Sequence, residues 1–157
     1  MEYFVEIAAR QRVDGILIVL DADEHCVQRG KARQEALGPE ILRRARKVAA
    51  HVPIGVVVAD PEFEAWFLMQ PCLEAMRSDG RITAERWPKD PLGLARRRNC
   101  KGVVGKLLGE PYSPTRHQHV LSEYLQFTES FQAASPSYGK LLRELARLTA
   151  EVRVRSE

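Results

Sequence analysis

The run Ile16-Leu17-Ile18-Val19-Leu20 and its abrupt end in Asp21-Ala22-Asp23 constrain this chain more than any other stretch. Five consecutive apolar residues without polar alternation suit a strand covered on both faces, and such strands belong to parallel sheets. Two carboxylates spaced i, i+2 fall on the same side of the chain while it stays extended. Anions that close repel unless a cation lies between them. Mg²⁺ or Mn²⁺, both partial to hard oxygen ligands, is the simplest such cation. The pattern therefore predicts a metal site at the end of a core strand, held first by Asp21 and Asp23.

A second apolar, β-branched run spans Ile54 to Ala59. Between the two runs, Gly38-Pro39 opens a helix whose apolar members Ile41, Leu42, Ala45, Val48 and Ala49 follow the 3.6 period. Strand, helix, strand over this distance is a βαβ unit with a parallel pair. Asp60-Pro61 then reads as the cap and first turn of another helix. Sites in parallel sheets form where loops leave the C-terminal strand ends. Asp21, Asp23, Asp60, Glu62 and Glu64 all fall at such ends, so up to five acids are expected on one rim. Capping alone accounts for Asp60, and the helix dipole for Glu62. Asp21, Asp23 and Glu64 are the acids expected to do chemistry, with Glu62 as a further metal ligand.

The expected class is α/β, a small parallel sheet with flanking helices and a helix-rich C-terminal half. One domain is expected, with a βαβ core over residues 1–77 and a helical, loop-rich part over 78–157. Glu2 to Gln11 reads as an amphipathic helix facing the core through Tyr3, Phe4, Ile7 and Ala8. Asp21 to Leu37 is polar and reads as a loop. Phe63, Trp66, Phe67 and Gln70 line a helix face that Pro71 ends or kinks. Ser78 to Asn99 is irregular, and Cys100 to Leu108 is a short helix despite two glycines. Pro111 and Pro114 mark a turn, and His119 to Phe131 is helical. Ser135-Pro136 opens a last helix with Leu141, Leu142, Leu145 and Leu148 inward.

The 157 residues are enough for a real core, and the 45% hydrophobic and 29% charged content is ordinary for a globular protein. No apolar run approaches the ~20 residues that span a bilayer, and no signal peptide is visible at Met1-Glu2-Tyr3-Phe4. The three cysteines, Cys26, Cys72 and Cys100, are too few and too scattered for a disulfide framework or a CxxC zinc site. A cytoplasmic protein without a membrane partner is the expectation. The net charge of +3 leaves room only for local basic patches.

An acidic rim with one or two divalent ions supports phosphoryl transfer. Arg96, Arg97 and Arg98 with Lys101 form the best basic patch for phosphate, and Lys106 and Lys140 are further candidates. Arg43, Arg44, Arg46 and Lys47 read as a solvated helix face. His25 and Cys26 read as loop residues, and His117-x-His119 as an incidental pair without a third zinc ligand. Phe63, Trp66 and Phe67 read as core rather than as stacking platforms for bases. There is no Walker loop and no GxSxG elbow.

These residues resemble a Toprim fold, in which an Asp-x-Asp follows one strand of a compact parallel sheet and a Glu follows an earlier one. More narrowly, the chain is similar to Toprim-like proteins related to the nuclease module of overcoming-lysogenization-defect (OLD-type) proteins. The similarity lies in Leu20 to Cys26, Pro61 to Leu68, Cys100 to Gly102, Tyr112 to Gln118 and Ser135 to Leu141, in that order. The Phe-Glu-Ala-Trp-Phe segment within Pro61 to Leu68 is the distinctive one. The resemblance implies a Mg²⁺- or Mn²⁺-dependent nuclease, a phage-defence setting and a partner ATPase. It also exposes a departure: Glu2 and Glu6 follow no strand, so the family's first strand and its Glu are apparently missing. A truncated form, completion by a partner, or loss of activity would each follow, and an exposed edge favours a homo-oligomer.

Three functions are compatible with this reading. The first is metal-dependent phosphodiester cleavage of nucleic acid. The second is a non-catalytic module that associates with a partner ATPase or with itself. The third, weaker, is a phosphotransferase or phosphatase acting on a small molecule.

Overall fold

The computed structural model describes residues 1–22 and 37–156. The chain separates into two compact units, Met1–Val58 with Lys140–Glu157, and Ala59–Gly139.

The first unit carries the sheet. Strand β1 (Ile16–Asp21) pairs in parallel with β2 (Ile54–Ala59), and these two strands make up the whole sheet among the described residues. Helix α1 (Glu2–Arg10) precedes β1, and α2 (Leu37–Val48) joins the two strands. The expected βαβ unit is thus present. Its core gathers Val5, Ile16, Ala45, Ala49, Val52 and Ile54, with Ala8, Ala9, Ile18 and Leu42 packed against it. Burying each of the larger aliphatic side chains contributes about 1.5–3 kcal/mol.

Two expectations about this core are corrected. Helix α1 turns Val5, Ala8 and Ala9 inward, while Tyr3 and Phe4 are 68% and 73% exposed and Ile7 is exposed as well. The alanines explain the choice: a stripe of small residues lets α1 approach α2 more closely than aromatic rings would. Strand β1 is not uniformly buried either. Val19 is exposed and Leu17 and Leu20 are half-buried, whereas β2 is buried along nearly its whole length.

The C-terminal helix α7 (Pro136–Ser156) carries Arg147, whose guanidinium donates to the Ile54 carbonyl oxygen at 2.8 Å and to Glu144 Oε2 at 2.7 Å. A third bond goes to Glu151 Oε1 at 2.5 Å. This fork clips the start of β2 to the helix. Leu148 is buried, but Leu141, Leu142 and Leu145 are only half-buried.

The second unit is helical and irregular. A 3₁₀ turn (Phe63–Leu68) leads into α3 (Gln70–Ser78), where Pro71 occupies the first turn. Pro71 therefore opens a helix instead of ending one, as its fixed φ and missing N–H allow there. Single 3₁₀ turns punctuate the expected irregular stretch before α4 (Cys100–Leu108), which appears with the expected bounds. Pro114 begins a π-type turn (Pro114–Gln118). The helix expected from His119 to Phe131 is interrupted, giving α5 (His119–Ser122) and α6 (Glu129–Ala134). The carbonyl of Gln126 in the gap accepts a hydrogen bond from Tyr138 Oη at 3.2 Å.

Aromatic packing holds this unit together. Phe63 lies against Trp66 and Phe67 with ring centroids 4.8 and 5.4 Å apart, and Trp66 meets Tyr138 edge-on at 5.4 Å. Trp66 Nε1 donates to Ser137 Oγ at 3.0 Å, which satisfies the one polar atom of a buried ring. Trp66 and Phe67 are thus core residues. No helix among the described residues is long and apolar enough to cross a membrane.

Candidate functional site

Asp21 is the last residue of β1, so one acid of the Asp-x-Asp stands where the strand leaves the sheet. Asp23, His25, Cys26 and the expected loop around them lie outside the described residues. Asp60 follows β2 directly, and its peptide bond to Pro61 is cis. Asp60 is not the helix cap expected of it. That position belongs to Glu62, which is extended (φ −143°, ψ 161°) and makes no side-chain capping bond. The chain needs the extra residues to turn from strand into the 3₁₀ turn.

Glu64, on the first turn of that 3₁₀ segment, is 3% exposed. Among the described residues, its Oε2 atom has no hydrogen-bond donor. The neighbouring cation is Lys101, whose Nζ is 3.9 Å away, beyond hydrogen-bonding reach and on a half-exposed side chain. Withdrawing a carboxylate from water costs several kcal/mol unless a cation and donors replace the lost hydration. A buried acid with an idle oxygen and one distant ammonium is therefore an expensive arrangement. Structural acids in this chain are treated differently: Glu144 and Glu2 are each bonded at close range to an arginine.

Lys101 lies on the first turn of α4, next to the exposed Arg96, Arg97 and Arg98. Asn99 caps this helix from a left-handed conformation (φ 62°), its side-chain oxygen accepting from Gly102 N at 3.1 Å. The residues of the expected basic patch are thus exposed around the start of this helix. Lys106 is exposed on the same helix. Lys140 belongs to the other unit, where its ammonium lies close to Gly38 at the start of α2. Arg43, Arg44, Arg46 and Lys47 are exposed on α2, as a solvated face should be. Arg44 is engaged by Glu2 at 2.5 Å.

His117 Nδ1 accepts from the Ser113 backbone N–H at 2.9 Å, and the buried Nε2 lies 3.4 Å from Glu110 Oε1. A zinc pair with His119 gains no support. Among the described residues, no group of three or more His, Cys, Asp or Glu side chains is placed to hold a metal ion. Cys72 is fully buried and burial pushes its thiol up to about 12, so it is no nucleophile.

Sequence reasoning passes over Glu110 and Tyr112. Together with Lys101 and Lys106 they line a groove against α4. The signal for it was the glycine spacing 102, 105, 109, which leaves one helix stripe without side chains of its own, so that other groups approach it closely. Comparison with family models, curated proteins and solved structures finds no match to this chain, so the chemistry of the site rests on these side chains themselves.

Proposed function

We propose that this chain is a Toprim-like nuclease domain that cleaves phosphodiesters of nucleic acid with the help of Mg²⁺ or Mn²⁺. The observation that carries the reading is Glu64, a buried carboxylate whose Oε2 has, among the described residues, no hydrogen bond and a single ammonium 3.9 Å away. Such an oxygen suits a hard divalent cation. Asp21, at the exit of a strand in a parallel pair, agrees with it. Asp21, Asp23 and Glu64, with Glu62, are the residues that would hold the metal. When bound, the metal supplies charge neutralisation at the phosphate and a more acidic water. The protein's own cations do the positioning. Lys101 lies beside Glu64, and Arg96, Arg97, Arg98 and Lys106 extend the positive surface along the incoming backbone. Glu62 is the weakest member of the set, since its side chain is half-buried and not closed off from water as that of Glu64 is.

The test is nicking of a labelled single strand and of supercoiled plasmid in Mg²⁺ and in Mn²⁺. The expected result is cleavage by the native chain, abolished by chelation and reduced at least about 100-fold by Asp21→Asn, with melting temperature little changed. Equal activity in native chain and variant contradicts the proposal. A second reading, an interaction module that binds a partner ATPase or another copy of itself, is favoured by the exposed Tyr3, Phe4 and Ile7 on α1 and by Val19 on β1. In that reading, the acids only shape loops.

A further inference from the structure

Residues 110–112 fold back across α4 and line with it an open, shallow groove of about 500 Å³. At about 100° per residue, Gly102, Gly105 and Gly109 share one stripe of the helix, and Lys101 and Lys106 rise on its two flanks. Gly105 makes this crossing possible: a Cβ there would stand 3.0 Å from the Glu110 carbonyl oxygen and 3.1 Å from Tyr112 N. The groove thus has a glycine floor crossed by residues 110–112, with the Asn99 side chain over Gly102 and the Arg86 guanidinium over Gly109, a lysine on each flank of the helix, and Tyr112 in its wall. That ring is held by a stacked contact with His117, centroids 5.6 Å apart and planes at 30°.

The charge balance of the groove is positive. Glu110 is the acid that lines it, but its oxygens are turned to Arg116 Nη1 at 3.1 Å and His117 Nε2 at 3.4 Å. Lys101 and Lys106 therefore line the groove without pairing with Glu110. Lys101 also connects it to Glu64, 3.9 Å from its Nζ.

We infer that this groove holds a phosphodiester of single-stranded nucleic acid, the phosphate between Lys101 and Lys106 and an adjacent base against Tyr112. The volume is that of a site for a nucleotide-sized ligand. A flat ring at the edge of an open groove accepts an unstacked base, and a single strand offers its π-faces where a duplex does not. The inference rests on the nuclease reading and narrows its substrate to unpaired strands.

The experiment is fluorescence anisotropy of a labelled oligothymidine, and of the same strand in duplex, with the full chain in EDTA. The single strand is expected to bind more tightly than the duplex. Lys106→Ala should weaken single-strand binding about 5-fold or more and flatten the dependence of log K on log salt by about 0.7. Tyr112→Leu should weaken it by a similar factor without changing that slope. Circular dichroism melts verify that both variants fold. Native chain that does not bind the single strand, or variants that bind as the native chain does, overturn the inference. Because EDTA removes cleavage, the two readings fail separately. A chain that binds as described yet never cuts keeps the groove and loses the nuclease. A chain that cuts with metal but ignores both substitutions loses the groove alone.

Discussion

Glu64 shows how far single residues can be read. Its position soon after a core strand marked it as a candidate, since strand ends carry sites. Its burial was not legible, because that depends on α4, a helix more than thirty residues further along. Asp60 shows the opposite case: Asp before Pro looks like a cap, yet the helix starts three residues later. Glu2 offers a residue-scale prediction. The hydrogen bond from Arg44 holds its carboxyl down from the ordinary 4.5 to about 2. A lowered folded-state value means the pair stabilises the fold above about pH 4.5 and that this contribution is lost as pH falls toward 2. Both side chains are well exposed, so the effect is small and screened by salt. Arg44→Ala should flatten the loss of melting temperature across that window at low ionic strength, and the difference should vanish in about 1 M salt. A difference that survives high salt would contradict this.

At the scale of elements, unbroken apolar runs located β1 and β2 and the 3.6 period located α1 and α2, because each is a continuous patterned run. Orientation was harder. Tyr3, Phe4 and Ile7 outrank Ala8 and Ala9 in hydrophobicity, yet the alanines face inward with Val5 while the larger side chains are exposed. The break between α5 and α6 was not legible from local pattern, since no proline or glycine marks it. The glycines of α4 carry an element-scale prediction. An alanine normally stabilises a helix interior by about 1 kcal/mol over glycine. At Gly105 the new Cβ would press on two backbone atoms of residues 110–112, which cannot rotate away. Overpacking of this kind costs about 1–3 kcal/mol, so Gly105→Ala should lower stability by roughly 1 kcal/mol, read from urea denaturation. A gain in stability would mean that the crossing segment is loosely held.

At the scale of the whole molecule, the mixed α/β class with a small parallel sheet was legible, because two unbroken apolar strands joined through a helix permit little else. The division at Val58 and Lys140 was not, since α7 returns to the strands from the far end of the sequence. The exposed rings of α1 and the half-open β1 form the apolar surface of the first unit. Sedimentation velocity over a range of concentrations should show self-association, which Phe4→Glu should abolish. A concentration-independent monomer would show that this surface is simply solvated. The central claim concerns the acids. Isothermal titration of Mn²⁺ into the full chain tests it most directly, with Asp21→Asn and Glu64→Gln beside the native sequence. The account predicts saturable binding that each substitution weakens at least about tenfold, or roughly 1.4 kcal/mol. No heat of binding in the native chain, or the same affinity in all three, would contradict it.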